Sequence, residues 1–122
     1  MIPDLQELHT GLVALVHIVR NRWRSDDPSY AQPPRASEPG VTHQNFHAAH
    51  TCQHLSKQCG KLSGLLEPLA HGKSLSEADR REVSRQCAYV LIDVARLLQV
   101  VTVSADDVAD CVRDWMEGRE AQ

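Results

Sequence analysis

The sequence predicts an all-α domain built from four main helices. Three observations carry that prediction. Apolar residues recur at alternating steps of three and four in four separate stretches, the spacing that stacks side chains on one face of a helix. Serine followed by an acidic residue, a pattern that caps helix starts, precedes the last two stretches. Strand patterning is weak: Val100-Val101-Thr102-Val103 is β-branched, but it is short and lies between two helical patterns.

The first helix opens at Pro3, which fits a first turn, with Asp4 near the positive end of the helix dipole. Leu5, Leu8, Leu12, Leu15, Val19 and Trp23 form its apolar stripe, to about Arg24, and His9 and His17 fall off the centre of that stripe, as surface or rim residues. Residues 25–42 break the pattern. Ser25-Asp26-Asp27-Pro28 ends the helix, and Pro33, Pro34, Pro39 and Gly40 prevent another. The segment is long for a compact domain and reads as a connector, with a mobile loop near a site as the alternative.

Thr42 is a suitable cap for the second helix, which is expected to run from His43 to Glu67, where Pro68 stops it. This helix carries two stripes. Ala48, Cys52, Leu55, Cys59, Leu62 and Leu66 make an apolar seam expected to face the core. His43, His47, His50 and His54, continued by Gln58 and Lys61, make a polar seam about a third of a turn away. Gly60 and Gly64 weaken the helix by up to about 1 kcal/mol each, but they also let another helix approach closely.

His71-Gly72-Lys73 is a turn. Ser74 with Glu77 reads as a capping box, with Ser76 and Asp79 as an overlapping alternative. The third helix then runs to Val101. Its expected core face is Val83, Cys87, Val90, Leu91, Val94 and Leu98, and Glu82, Gln86, Tyr89 and Asp93 form its polar seam. Ser104 with Asp107 is a second capping box. Val108, Cys111, Val112 and Trp115 define a fourth helix that frays from Glu117.

The totals fit one domain spanning residues 1–122. Hydrophobic residues are 42% and charged residues 24%, the usual globular composition. A net charge of −3 gives no broad attraction to nucleic acid or an anionic membrane. The seven histidines would turn that charge positive below a pH of about 6.5. Cys52, Cys59, Cys87 and Cys111 all fall on apolar helical positions and form no CxxC pair, which reads as buried thiols in a reducing cytosol. No basic segment precedes the first apolar run, and no apolar run reaches about 18 residues. Neither a signal peptide nor a membrane span is expected, and the expected location is cytoplasmic.

Apart from residues 25–42, the arrangement resembles the all-α NTP pyrophosphohydrolases of the MazG-like superfamily. The likeness rests on four places. The first helix ends near Arg22-Trp23. Ser56-Lys57-Gln58-Cys59-Gly60-Lys61-Leu62 stands where the family has Glu-Glu-x-x-Glu. Gln86-Cys87-Ala88-Tyr89 and the apolar run after it stand where the family has Glu-x-x-Asp. Val103 to Val108 resembles the start of the last helix. The resemblance implies a four-helix MazG-like bundle assembling as a dimer or tetramer. In the family, paired magnesium ions held by carboxylates bind a triphosphate and activate a water for hydrolysis. Here the matching positions are Lys57, Gln58, Lys61, Gln86 and Tyr89, and Glu67 is the only carboxylate on the second helix. Neither the hydrolysis nor the magnesium carries over.

Three readings of the polar seam follow. In the first, the protein is a non-catalytic relative with a binding, regulatory or scaffolding role and no cofactor. It would hold a nucleotide or other phosphate ligand through His50, His54, Lys57, Gln58, Lys61, Gln86 and Tyr89, or pair with another protein. An active pyrophosphohydrolase using other groups is the alternative. In the second, His47, His50 and His54 hold a transition metal such as zinc, with further ligands from Glu82, Asp93 or a second subunit, although Lys57 and Lys61 oppose a cation. In the third, the seam is a solvated face or a subunit interface with ordinary hydrogen bonds. Nucleophilic catalysis has little support, because Gly-x-Ser-x-Gly and Gly-rich phosphate loops are both missing.

Overall fold

The computed structural model describes residues 3–22 and 43–118, with side-chain burial defined for 5–22 and 46–118. The expected connector at 25–42, the Thr42 cap, Trp23 and the His43 side chain lie outside those residues. The described chain forms four helices and no strand: α1 (Pro3–Arg22), α2 (His43–Ala70), α3 (Glu77–Val101) and α4 (Ala105–Met116).

Pro68 does not stop α2, which continues to Ala70. In the last turn a proline forfeits a single helical bond, and its carbonyl is still used. Pro68 O accepts from His71 N at 3.0 Å and from Lys73 N at 3.1 Å, while Leu69 O accepts from Gly72 N at 3.2 Å. That is a Schellman closure, and it turns on Gly72 at φ 78°, a left-handed backbone that glycine adopts without steric cost. The true stop is therefore the glycine.

At the start of α3 the overlapping alternative is the one formed. Ser76 Oγ accepts from Asp79 N at 3.1 Å, and Ser76 N donates to Asp79 Oδ2 at 3.2 Å. α3 ends at Thr102, a β-branched residue held at φ 60°. Ser104 caps α4 by accepting from Asp107 N at 3.1 Å, and the α3–α4 corner bends by 118°.

α2 and α3, joined by a short turn, form an antiparallel hairpin with the most extensive helix contact, and α1 packs on α3 and α4. The core gathers Val19 of α1 with Ala95 and Val100 of α3, and Leu15, Val16, Ala48 and Ile92 pack around them. Leu5 of α1 and Ala109 of α4 are buried at the other end of α1. The α1 stripe is as expected: Leu5 and Val19 are buried, and Leu8, Leu12 and Leu15 are half-buried.

The expected core faces of α2 and α3 are rotated from those observed. All four cysteines are exposed thiols, not buried ones, and Leu91 is exposed as well. α2 buries His47 and Thr51, with Leu55, Gln58, Leu62 and Leu65 half-buried. α3 buries Gln86 and Asp93, with Val83, Val90, Val94 and Leu98 half-buried. Polar groups thus occupy part of the inward face, while part of the apolar seam of α2 faces outward.

Among the described residues, no single helix is long and apolar enough to cross a membrane.

Candidate functional site: a divided polar seam

The residues singled out from the sequence separate into two groups on α2. His50, His54, Lys57 and Lys61 recur at steps of four and three, so they share one stripe. His50 is half-buried and the other three are exposed. Gln58 lies on the side of α2 that also carries Thr51, Leu62 and Leu65, and it is half-buried. On α3, Gln86 is buried and Tyr89 is exposed. The seven residues therefore do not converge on one pocket.

The imidazoles are ordered by ring contacts. Phe46 meets His47 edge-on, with centroids 5.2 Å apart, and stacks on His50 at 5.3 Å. His50 in turn meets His54 edge-to-face at 4.6 Å. His47 is only 2% exposed, so it is part of the packed interior and stands apart from the outward stripe. Among the described residues, no group of three His, Cys, Asp or Glu side chains is placed to hold a metal ion. Glu82 and Asp93, the carboxylates considered as extra ligands, have local partners. Gln86 Nε2 donates to Glu82 Oε1 at 3.1 Å, and Arg96 Nη1 donates to the buried Asp93 Oδ1 at 3.4 Å. A buried carboxylate is costly unless a cation or hydrogen-bond donor meets it, and Arg96 supplies both.

The two inward amides are unusual in another way. Gln58 Oε1 and Gln86 Oε1 are both buried without a hydrogen-bond partner among the described residues. Such an acceptor costs about 1–3 kcal/mol.

The described residues also form two clefts that the polar seams do not line. One, of about 420 Å3, opens between α1 and the α3–α4 corner and carries His17, Arg20, Gln99, Thr102, Ser104 and Asp106. The other, of about 390 Å3, lies between α1 and α4 and carries His9, Asp106, Asp110 and Arg113 over Leu5 and Ala109. Asp106 borders both clefts and pairs with His9 Nε2. Arg113 pairs with Asp110 at 3.1 Å and with Asp114 at 3.3 Å. Ser104 Oγ is occupied in capping α4. In the second cleft the charges are paired with one another, His9 with Asp106 and Arg113 with Asp110. His9 and His17 stand at the rims, as their off-stripe positions suggested. The clefts themselves depend on how α1 meets the α3–α4 corner, and no sequence motif reports that.

No protein-family model, curated protein or solved structure matches this chain.

Proposed function

We propose that the chain is a MazG-like helical module with a binding or scaffolding role, in which metal-dependent nucleotide hydrolysis has been lost. One observation carries this reading. Of the positions matched to the family's acidic motifs, the two that turn inward, on α2 and on α3, carry the neutral amides Gln58 and Gln86. A pair of divalent cations needs several carboxylate oxygens, and an amide oxygen brings no charge. The other matched positions, Lys57, Lys61 and Tyr89, point to solvent, and two of them carry positive charge.

The test is incubation of the purified protein with a panel of nucleoside triphosphates and magnesium or manganese. No pyrophosphate above the protein-free control is expected. Sustained, protein-dependent release, lost on Gln58→Ala or Gln86→Ala substitution, would overturn the reading and favour hydrolysis by a rebuilt site.

A phosphate-binding role has its own support in the outward stripe. Lys57 and Lys61 sit one turn apart beside His50 and His54, and among the described residues neither lysine has an ion-pair partner. Fixed positive charge of this kind can hold phosphate without a metal. Calorimetric titration with a nucleoside triphosphate in low salt should show binding that weakens in high salt and on Lys57→Ala/Lys61→Ala substitution.

A further inference from the structure

α1 carries Val13, Val16, His17 and Arg20 on one face, at the spacing that stacks helical side chains. That face meets Leu98, Gln99 and Thr102 at the end of α3, and the start of α4 closes the third side. Together they enclose the cleft of about 420 Å3, a volume in the range of small-molecule sites. Its walls are mostly apolar. Val16 and Leu98 are half-buried, whereas Val13 and Val103 are left 46% and 39% exposed.

The polar groups of this cleft that lack partners are donors. Arg20 makes no ion pair among the described residues. Gln99 Nε2 is closed off from solvent, with no hydrogen-bond partner among the described residues. The terminal torsion of a glutamine side chain is soft, so a small turn brings that amide N–H to a ligand. The one carboxylate on the walls, Asp106, is already held by His9. Thr102 adds a hydroxyl at the rim, on a backbone held at φ 60°. A β-branched residue is strained there, and strain of that kind clusters at ligand sites.

We infer that this cleft binds a small monoanion, a carboxylate carried on a compact apolar body. The carboxylate meets the Arg20 guanidinium and the Gln99 amide, and the apolar body covers Val13, Val16, Leu98 and Val103. Charge selects a carboxylate over a polyphosphate. Arg20 is the one permanent cation on the walls, and Asp106 and Asp107 stand at the start of α4. Each further negative charge on a ligand would face those carboxylates without a counter-charge. An uncharged apolar molecule, in turn, leaves Arg20 and Gln99 unmet. The cleft is separate from the polar seam of α2, so the inference does not depend on whether hydrolysis is lost.

Octanoate is the probe. Octanol supplies the same apolar body without the charge, and inorganic phosphate supplies charge without the body. Titration of the isotope-labelled full chain, followed by amide chemical shifts, reads affinity and place together. Octanoate should bind saturably and move the amides of residues 13–20 and 98–106. Octanol should bind about tenfold more weakly, the size of one charge-assisted hydrogen bond, and phosphate should leave these amides unmoved. Arg20→Gln, at an exposed position, should weaken octanoate by a similar factor and leave octanol unchanged. The octanoate and octanol comparison needs no variant, so it stands even if that substitution disturbs folding. Absence of saturable binding at millimolar octanoate would overturn the inference. So would equal affinity for octanol, an Arg20→Gln chain that binds octanoate as wild type does, or shifts centred on the His50 to Lys61 stripe instead.

Discussion

Replacing Gln58 by leucine should stabilise the protein, and the size of the gain follows from its surroundings. Gln58 is half-buried on the inward side of α2, and its Oε1 is sealed from solvent without a partner among the described residues. Leaving such an acceptor unmade costs about 1–3 kcal/mol. Half-burial places Gln58 toward the lower end of that range. Leucine removes the acceptor, keeps a similar volume, and adds apolar contact next to the half-buried Leu55 and Leu62. A net gain of about 1–2 kcal/mol is expected. For a chain of this length that is a rise in melting temperature of roughly 4–8 °C. The assay is thermal unfolding followed by circular dichroism, confirmed by a urea midpoint that shifts while the slope stays constant. A loss of stability of more than about 0.5 kcal/mol would refute the reasoning, since it would mean that the amide is already satisfied. A gain would show that the fold alone does not call for glutamine here, which is what a position retained for binding looks like.

Two further substitutions test the packing and the backbone. Val19→Ala removes two carbons from a side chain that is 5% exposed between Ala95 and Val100. The lost transfer energy plus the residual cavity predicts about 2 kcal/mol of destabilisation in urea unfolding, and a cost near zero would mean this cluster is not the core. Thr102→Gly should raise the melting temperature. A left-handed L-residue costs about 1–2 kcal/mol, and the extra freedom of glycine in the unfolded chain returns about 0.4–1 kcal/mol of that. A net gain near 1 kcal/mol is expected, and a lower melting temperature would count against strain at φ 60°.

The helices were legible in the sequence because they rest on local signals. The three-and-four spacing, Ser76 and Ser104 at helix starts, and Gly72 after α2 all act within a few residues of where they stand. Pro68 is a poor stop signal because a proline in the final turn of a helix forfeits little. The inward faces were harder to read. Apolar periodicity places Cys52 and Cys59 in the core, yet the side of α2 that meets α3 is set by how the two helices dock, and it buries His47 and Thr51 instead. An amphipathic pattern reports that a face prefers cover, not which neighbour covers it. The candidate site divided for the same reason. One rotation of α2 turns Gln58 inward and leaves Lys57 and Lys61 outside, although the three are neighbours in sequence.

The order of contacts along the chain bears on how the molecule assembles and comes apart. α2 and α3 are sequence neighbours joined by a short glycine turn, and they share the most extensive helix contact. That hairpin needs little loop closure and can form quickly. The α1–α4 contact joins helices far apart in sequence through His9, Asp106, Leu5 and Ala109, so it is expected to close late and open early. Hydrogen exchange should find the amides of α4 and the start of α1 released well before those in the middle of α3. Uniform protection across all four helices would contradict that sequence of events. The hollow between α1 and α4 thus sits where the chain's remote ends meet, and a small molecule lodged there would act as a latch against unravelling.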